Sequence, residues 1–208
     1  MSAADQGPLT NGLVERVKHI LFQPGEAWDQ IQAEPATVKG LYVGYACILA
    51  AIEPIAQLIG GLLFGYHVLW MSFRPSLAAA LSGAVVGYVL SLAGVFVLAL
   101  IIDALAPTFG GARSQLQAFK VAVYASTAVW IAGVFALVPP VAGLAVIGIY
   151  SLYLLYLGVP KLMKPAADKA SGYSLVVAFA GLVIFLTVAL ISDKIAGSGS
   201  AISGVAHI

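Results

Sequence analysis

The chain has 208 residues, 61% of them hydrophobic and only 9% charged, with a mean hydropathy of +1.00. A soluble domain carries roughly 25% charged residues, so most of the usual solvating charge is missing and lipid is the solvent that remains. With 10 Lys+Arg against 9 Asp+Glu the net charge is +1, which excludes a nucleic-acid-binding polycation and an acidic disordered tail. The chain reads as an all-α integral membrane protein. A span needs about 20 apolar residues, so the length holds five or six spans and no sizeable soluble domain. The single cysteine, Cys47, leaves no intramolecular disulfide or Cys-rich metal site, and in its apolar stretch it reads as packing.

Residues 1–10 are polar and read as a flexible N-terminus, with no removable signal peptide after them. Residues 11–36 form an amphipathic helical segment. Leu13, Val14, Val17, Ile20 and Leu21 recur at helical spacing, and Glu15, Arg16, Lys18 and His19 take the other face. Asn11 is placed to cap this helix and Pro24-Gly25 to stop it. A second piece, EAWDQIQAE, sets Trp28 and Ile31 on one face and ends at Pro35. Either the pair lies on the membrane surface with Trp28 as an interfacial anchor, or both pieces pack against the rest of the protein.

The membrane domain, residues 37–194, is expected as a bundle of five transmembrane helices. Span one runs from about Gly40 to Tyr66 and span two from Ser76 to Ile102, closed by Asp103. The loop APTFGGARSQ follows, with the turn residues Pro107, Gly110 and Gly111. No charge occurs between Lys120 and Lys161, and Pro139-Pro140 splits that stretch into spans three and four with a tight turn. Span five covers Tyr173 to Ser192, and the small, polar residues 195–208 read as a flexible tail. Gly83, Gly87 and Ser91, with Gly94 beside them, make a small-residue stripe on span two. That stripe serves either an intrachain seam or a homo-oligomer, and Gly61 and Gly65 offer a weaker one on span one.

Five spans place the ends on opposite sides, and the positive-inside rule orients them. With the N-terminus in the cytoplasm, Arg16, Lys18, Lys39, Arg113, Lys120, Lys161, Lys164 and Lys169 are inside, and only Arg74 and Lys194 are outside.

Three stretches carry a family resemblance: RVKHILFQPGEAWDQI, IIDALAPTFGGARSQLQAFKVAVYAS and IYSLYLLYLGVPKLMKPAADKASGYSLVV. Together they resemble the bacterial branch of the Yip domain family, relatives of the eukaryotic Ypt/Rab-GTPase-interacting membrane proteins. The likeness runs from about residue 14 to 192 and is most specific at LAPTFGG and LYLLYLG-PKLM. It departs from the family pattern at Glu53, where an uncharged residue is more common, and at Ala128, where a proline is. The resemblance implies five spans with a cytoplasmic N-terminus in the bacterial inner membrane, and no known reaction. The eukaryotic relatives are linked to vesicle traffic, so what transfers is a membrane scaffold or adaptor, by analogy.

His19, His67 and His207 are scattered, and no Walker loop, nucleophile elbow, dinucleotide fingerprint or helical metal pair is present, so no enzyme activity, cofactor or metal is expected. Tyr150, Tyr153 and Tyr156 stripe span four as packing or interfacial anchors.

Two groups remain as candidate sites. Glu53 lies about 13 residues from each end of span one, or about 20 Å, near midplane. Pro54 disrupts the backbone bond to Ala50, and Gln57 shares the Glu53 face. This is either a midplane proton or cation site of a small channel or transporter, or a neutral glutamic acid satisfied by Gln57. The second group is Asp103, Arg113, Lys120, Lys161 and Lys164 at the cytoplasmic face, with Asp103 and Lys120 expected to pair. Its surplus of positive charge fits anionic lipid headgroups or an acidic membrane or cytoplasmic protein partner.

Overall fold

The computed structural model describes residues 12–68, 71–73 and 75–204. Residues 1–10, the cap proposed at Asn11, Arg74 and the last four residues of the tail lie outside the described residues. Helix α1 (Leu13–Phe22) begins after Gly12. Helix α2 (Pro24–Ala33) follows at once, with Pro24 at its first position, where a missing N–H costs nothing. The Pro24-Gly25 pair thus starts the second helix rather than only ending the first.

Among the described residues, five helical segments are long and apolar enough to cross a membrane: Val38–Phe64, Leu77–Phe109, Gln115–Leu137, Gly143–Met163 and Ala170–Ser192. These match the five expected spans to within a few residues, except that span two runs on from the expected Ile102 to Phe109. The fifth helix runs on to Gly204, through most of the stretch whose composition reads as a loose tail. Between spans one and two, strands β1 (Tyr66–Val68) and β2 (Met71–Phe73) form a small antiparallel ribbon with His67 opposite Ser72. Gly65 ends span one at φ 72°, a left-handed angle that glycine adopts without a steric penalty.

Span three is the axis of the bundle. Ala118 to Ala125 are buried on every side of the helix, which is how a helix apolar all round is accommodated. Span five is peripheral, leaving Leu175, Phe179, Val183, Phe185, Leu186 and Leu190 exposed to lipid.

Helix irregularities are repaired by side chains from neighbouring spans, as lipid requires. Span one is interrupted after Ala50 and resumes at Ile52, at the carbonyl Pro54 was expected to free. The Ala51 N–H turns back to the Leu49 carbonyl, and the Tyr88 hydroxyl donates to the Cys47 carbonyl at 3.1 Å. Pro160 cannot donate to the Tyr156 carbonyl, which instead accepts from the Ser174 hydroxyl of span five at 3.1 Å. A π-helical turn at Tyr42–Ala46 accompanies two further cross-span bonds. Tyr42 donates to the Leu92 carbonyl at 3.1 Å, and Tyr45 meets Thr127 Oγ1 at 2.8 Å.

Part of the small-residue stripe of span two, at Ser91 and Gly94, is covered from within the chain. Trp130 Nε1 donates to Ser91 Oγ at 3.0 Å, and a methyl group added at Gly94 would lie 2.9 Å from Ile184 Cγ2 of span five. At Gly87 the nearest such contact is Ser192 Oγ, at 3.8 Å.

The two stretches most specific to the family resemblance meet each other. Gly110 turns at φ 76°, Gly111 leaves a methyl group only 2.6 Å from the Met163 carbonyl oxygen, and the Ala166 N–H donates to the Phe109 carbonyl at 3.0 Å. The Phe109 and Tyr173 rings stack at 4.9 Å, and the Tyr173 hydroxyl donates to the Ile102 carbonyl. Both loops therefore close as one structure on the side of the bundle that also carries α1 and α2.

Candidate functional site

The charged residues of that side, the N-side, are organised around the helix pair α1–α2. Of the two readings of this pair, packing against the protein describes its inner face: Ile20, Ala27, Trp28 and Ile31 are fully buried. Trp28 lies on Gly158 of span four, where a methyl group would meet the indole at 2.7 Å. Only glycine lets the ring and the helix backbone approach this closely.

Lys120, five residues into span three, holds the end of α2. Its Nζ donates to the Ile31 carbonyl at 2.7 Å and the Glu34 carbonyl at 2.6 Å, with Gln32 farther away at 3.5 Å. An ammonium has three donors and suits the terminal carbonyls of a helix, which have no intrahelical partner. The pairing expected between Lys120 and Asp103 is therefore not formed. The α2 carbonyls take the lysine, and Asp103 Oδ1 is buried with no hydrogen-bond partner among the described residues.

Lys161 grips the start of α2, donating to the Gly25 carbonyl and to Asp29 Oδ1, each at 2.6 Å. Two of the five residues assigned to a lipid-facing or partner-facing patch thus act as internal clamps. Arg113 and Lys164 remain exposed, Lys164 as the left-handed cap of span four at φ 48°.

Arg16 was placed on the polar face of α1, yet it is 2% exposed. Its Nη2 donates to Glu34, and its guanidinium lies 5.9 Å from the centre of the Tyr124 ring. The signal was present in the spacing: Arg16 stands three residues after Leu13 and four before Ile20, inside the apolar stripe. Glu34 escaped notice because its partner lies eighteen positions away in the chain.

Within span one, Gln57 Nε2 donates to Glu53 Oε1 at 3.0 Å, the local bond expected from their spacing. Pro54 is buried in the first turn of the resumed helix. Glu53 lies across Gly133, where a methyl group would sit 2.4 Å from Glu53 Cβ, and span three winds as a tighter 3₁₀ helix from Gly133 to Leu137. Gly133→Ala is accordingly expected to cost about 1–3 kcal/mol by overpacking, read as a shifted denaturation midpoint in detergent. Glu53→Gln should leave that midpoint nearly unchanged. Among the described residues no three His, Cys, Asp or Glu side chains converge on a common point.

The Yip1 domain family model matches residues 18–189. Inner membrane protein YohC of Escherichia coli strain K12 is 28% identical over 164 residues, covering 74% of this chain and 82% of that protein. Its counterpart in strain CFT073 matches to the same extent. No solved structure matches. The matched segment takes in α2, the second half of α1 and all but the end of span five. The chain belongs to the Yip1 domain family.

Proposed function

We propose that the protein is a non-enzymatic scaffold or adaptor of the bacterial inner membrane, with its N-side facing the cytoplasm and its C-terminus outside. The observation that carries this reading is the construction of the N-side. A helix pair and two interlocked loops form one closed surface, and their inward-facing charges are used to hold it together. The orientation follows from the eight-to-two distribution of basic residues. Tags at the two ends should be accessible from opposite sides of the membrane; labelling of both from one side contradicts the topology.

The working surface is smaller than the sequence implies. Lys120 is buried and Lys161 is paired, so the two loops offer Arg113, Lys164 and Lys169 against Asp168, all four exposed. This residual positive charge suits anionic headgroups or an acidic protein surface. Arg113→Gln with Lys164→Gln is expected to weaken binding to nanodiscs rich in anionic lipid by about tenfold. Lys161→Gln should leave that binding nearly unchanged. Equal binding by wild type and the double variant would remove the lipid part of the proposal.

The competing reading is a small channel or transporter, favoured by an intramembrane carboxylate beside a break in span one and a tightened turn in span three. Reconstituted wild-type protein should show no Glu53-dependent proton or cation flux if the scaffold reading holds.

A further inference from the structure

Helix α1 carries charge at a depth where lipid does not accept it. Its Arg16 lies over Tyr124, nine residues into span three, or about 14 Å. Its Leu21 carbonyl accepts from the Tyr150 hydroxyl at 3.1 Å, and Tyr150 stands 13 residues before the end of span four, or about 20 Å. The helix also packs on the Thr127–Ala132 segment, which begins 12 residues into span three. Span three is 23 residues long and span four 21, so each anchor falls toward the middle of its span. Helix α1 is therefore level with the apolar belt of the bundle.

The inner face of α1 is covered by the chain itself, with Arg16 and Ile20 buried. The outer face is not. Val14, Glu15, Lys18 and Phe22 are all exposed, and at 100° per residue they fall in one arc of about 100°. The ion pairs among the described residues, Arg16–Glu34 and Lys161–Asp29, use neither Glu15 nor Lys18. Lys18 has a stem long enough to reach toward headgroups, but Glu15 does not. Val14, 63% exposed, and Phe22, 80% exposed, keep the ground around the two charges apolar. Charged side chains at such a depth are costly unless they face protein and find a partner there.

We propose that the outer face of α1 is the interface of a homodimer, in which Glu15 of each copy pairs with Lys18 of the other. The charges select a second copy as the occupant. They are opposite in sign and three residues apart, about 4.5 Å along the helix. A two-fold axis passing between them exchanges their positions, so the same patch on both copies is complementary to itself. The separation is short enough for this pairing to hold at any angle at which the two helices cross. Val14 and Phe22 lie on either side of the pairs and keep water from them, which strengthens their attraction. This contact is distinct from the Gly83–Ser91 stripe and from Arg113 and Lys164. It rests on neither the scaffold reading nor the orientation in the membrane.

The test is the oligomeric state of the full-length protein, read by native mass spectrometry and by co-purification of two differently tagged copies from one membrane. Wild type should be a dimer. Glu15→Lys and Lys18→Glu, both at exposed positions, should each weaken dimerisation by about tenfold or more, because each sets like charges together twice. Co-expressed, the two variants should form the heterodimer and neither homodimer, since one copy then offers two lysines and the other two glutamates. Misfolded variants would show no such rescue. The chain carrying both exchanges should dimerise as wild type does, and Arg113→Gln should change nothing. A monomeric wild type overturns the proposal. So does a dimer that survives both single variants, or one that Gly83→Leu abolishes while they do not, because the contact then lies elsewhere.

Discussion

Replacing Trp28 with alanine is expected to destabilise the protein by about 3–5 kcal/mol, the cost of emptying a fully buried aromatic site. The loss should fall on packing alone, because the indole N–H is buried without a partner among the described residues. Gly158 cannot fill the space, since its lack of a side chain is what admits the ring. The converse substitution, Gly158→Leu, should act in the same direction by driving the ring out of its seat. Both variants should detach α2 and make the chain near Gln23 sensitive to protease while the five spans remain helical. The measurement is the denaturation midpoint in mild detergent together with limited proteolysis. An unchanged midpoint for Trp28→Ala would mean that α2 contributes nothing to the bundle.

The second large effect is asymmetric. Glu34→Ala should cost about 3–5 kcal/mol, because it strands the buried Arg16 guanidinium beside the Lys120 ammonium. Arg16→Met should cost less. Glu34 keeps 27% of its side-chain surface exposed and can turn toward water. Adding Glu34→Ala to Arg16→Met should then change little, so the double-mutant cycle should give a coupling of about 2 kcal/mol or more. The clamp at Lys161 behaves differently. Its partners are 32% and 66% exposed, and the Lys161–Asp29 ion pair is worth about 0–1 kcal/mol, falling with added salt. Strict additivity of the Arg16 and Glu34 substitutions would contradict the pairing.

The five spans were legible because lipid makes each one nearly self-declaring: about 20 apolar residues, with the Pro139-Pro140 turn dividing the longest uncharged stretch. The Glu53–Gln57 bond was legible because it is local, four residues apart on one helix face. The break after Ala50 was legible because Pro54 removes a specific backbone donor. What sequence could not settle was partner choice across long separations. Asp103 and Lys120 share a membrane side, but Lys120 is taken by the end of α2, nearly ninety positions upstream. Lys161 reads as a surface charge until Asp29 and Gly25 are placed beside it. Amphipathicity identified a buried face on α1–α2 without naming what covers it, and Gly158 explains the fit only once Trp28 is seen on it. Arg16 was misplaced for a different reason. Charge was given more weight than position, although its register lies with Leu13 and Ile20.

The account rests on α1–α2 being part of the membrane bundle, held by Lys120, Arg16–Glu34 and the Trp28–Gly158 contact. Hydrogen–deuterium exchange of the full-length protein in nanodiscs tests this most directly. Amides of Ala27–Ala33 should be protected for minutes to hours, on the scale of Phe119–Ala125 in the central span, and Trp28→Ala should remove that protection without affecting span three. Exchange of Ala27–Ala33 within seconds in the wild-type protein would show a helix pair that does not dock, and would contradict the account.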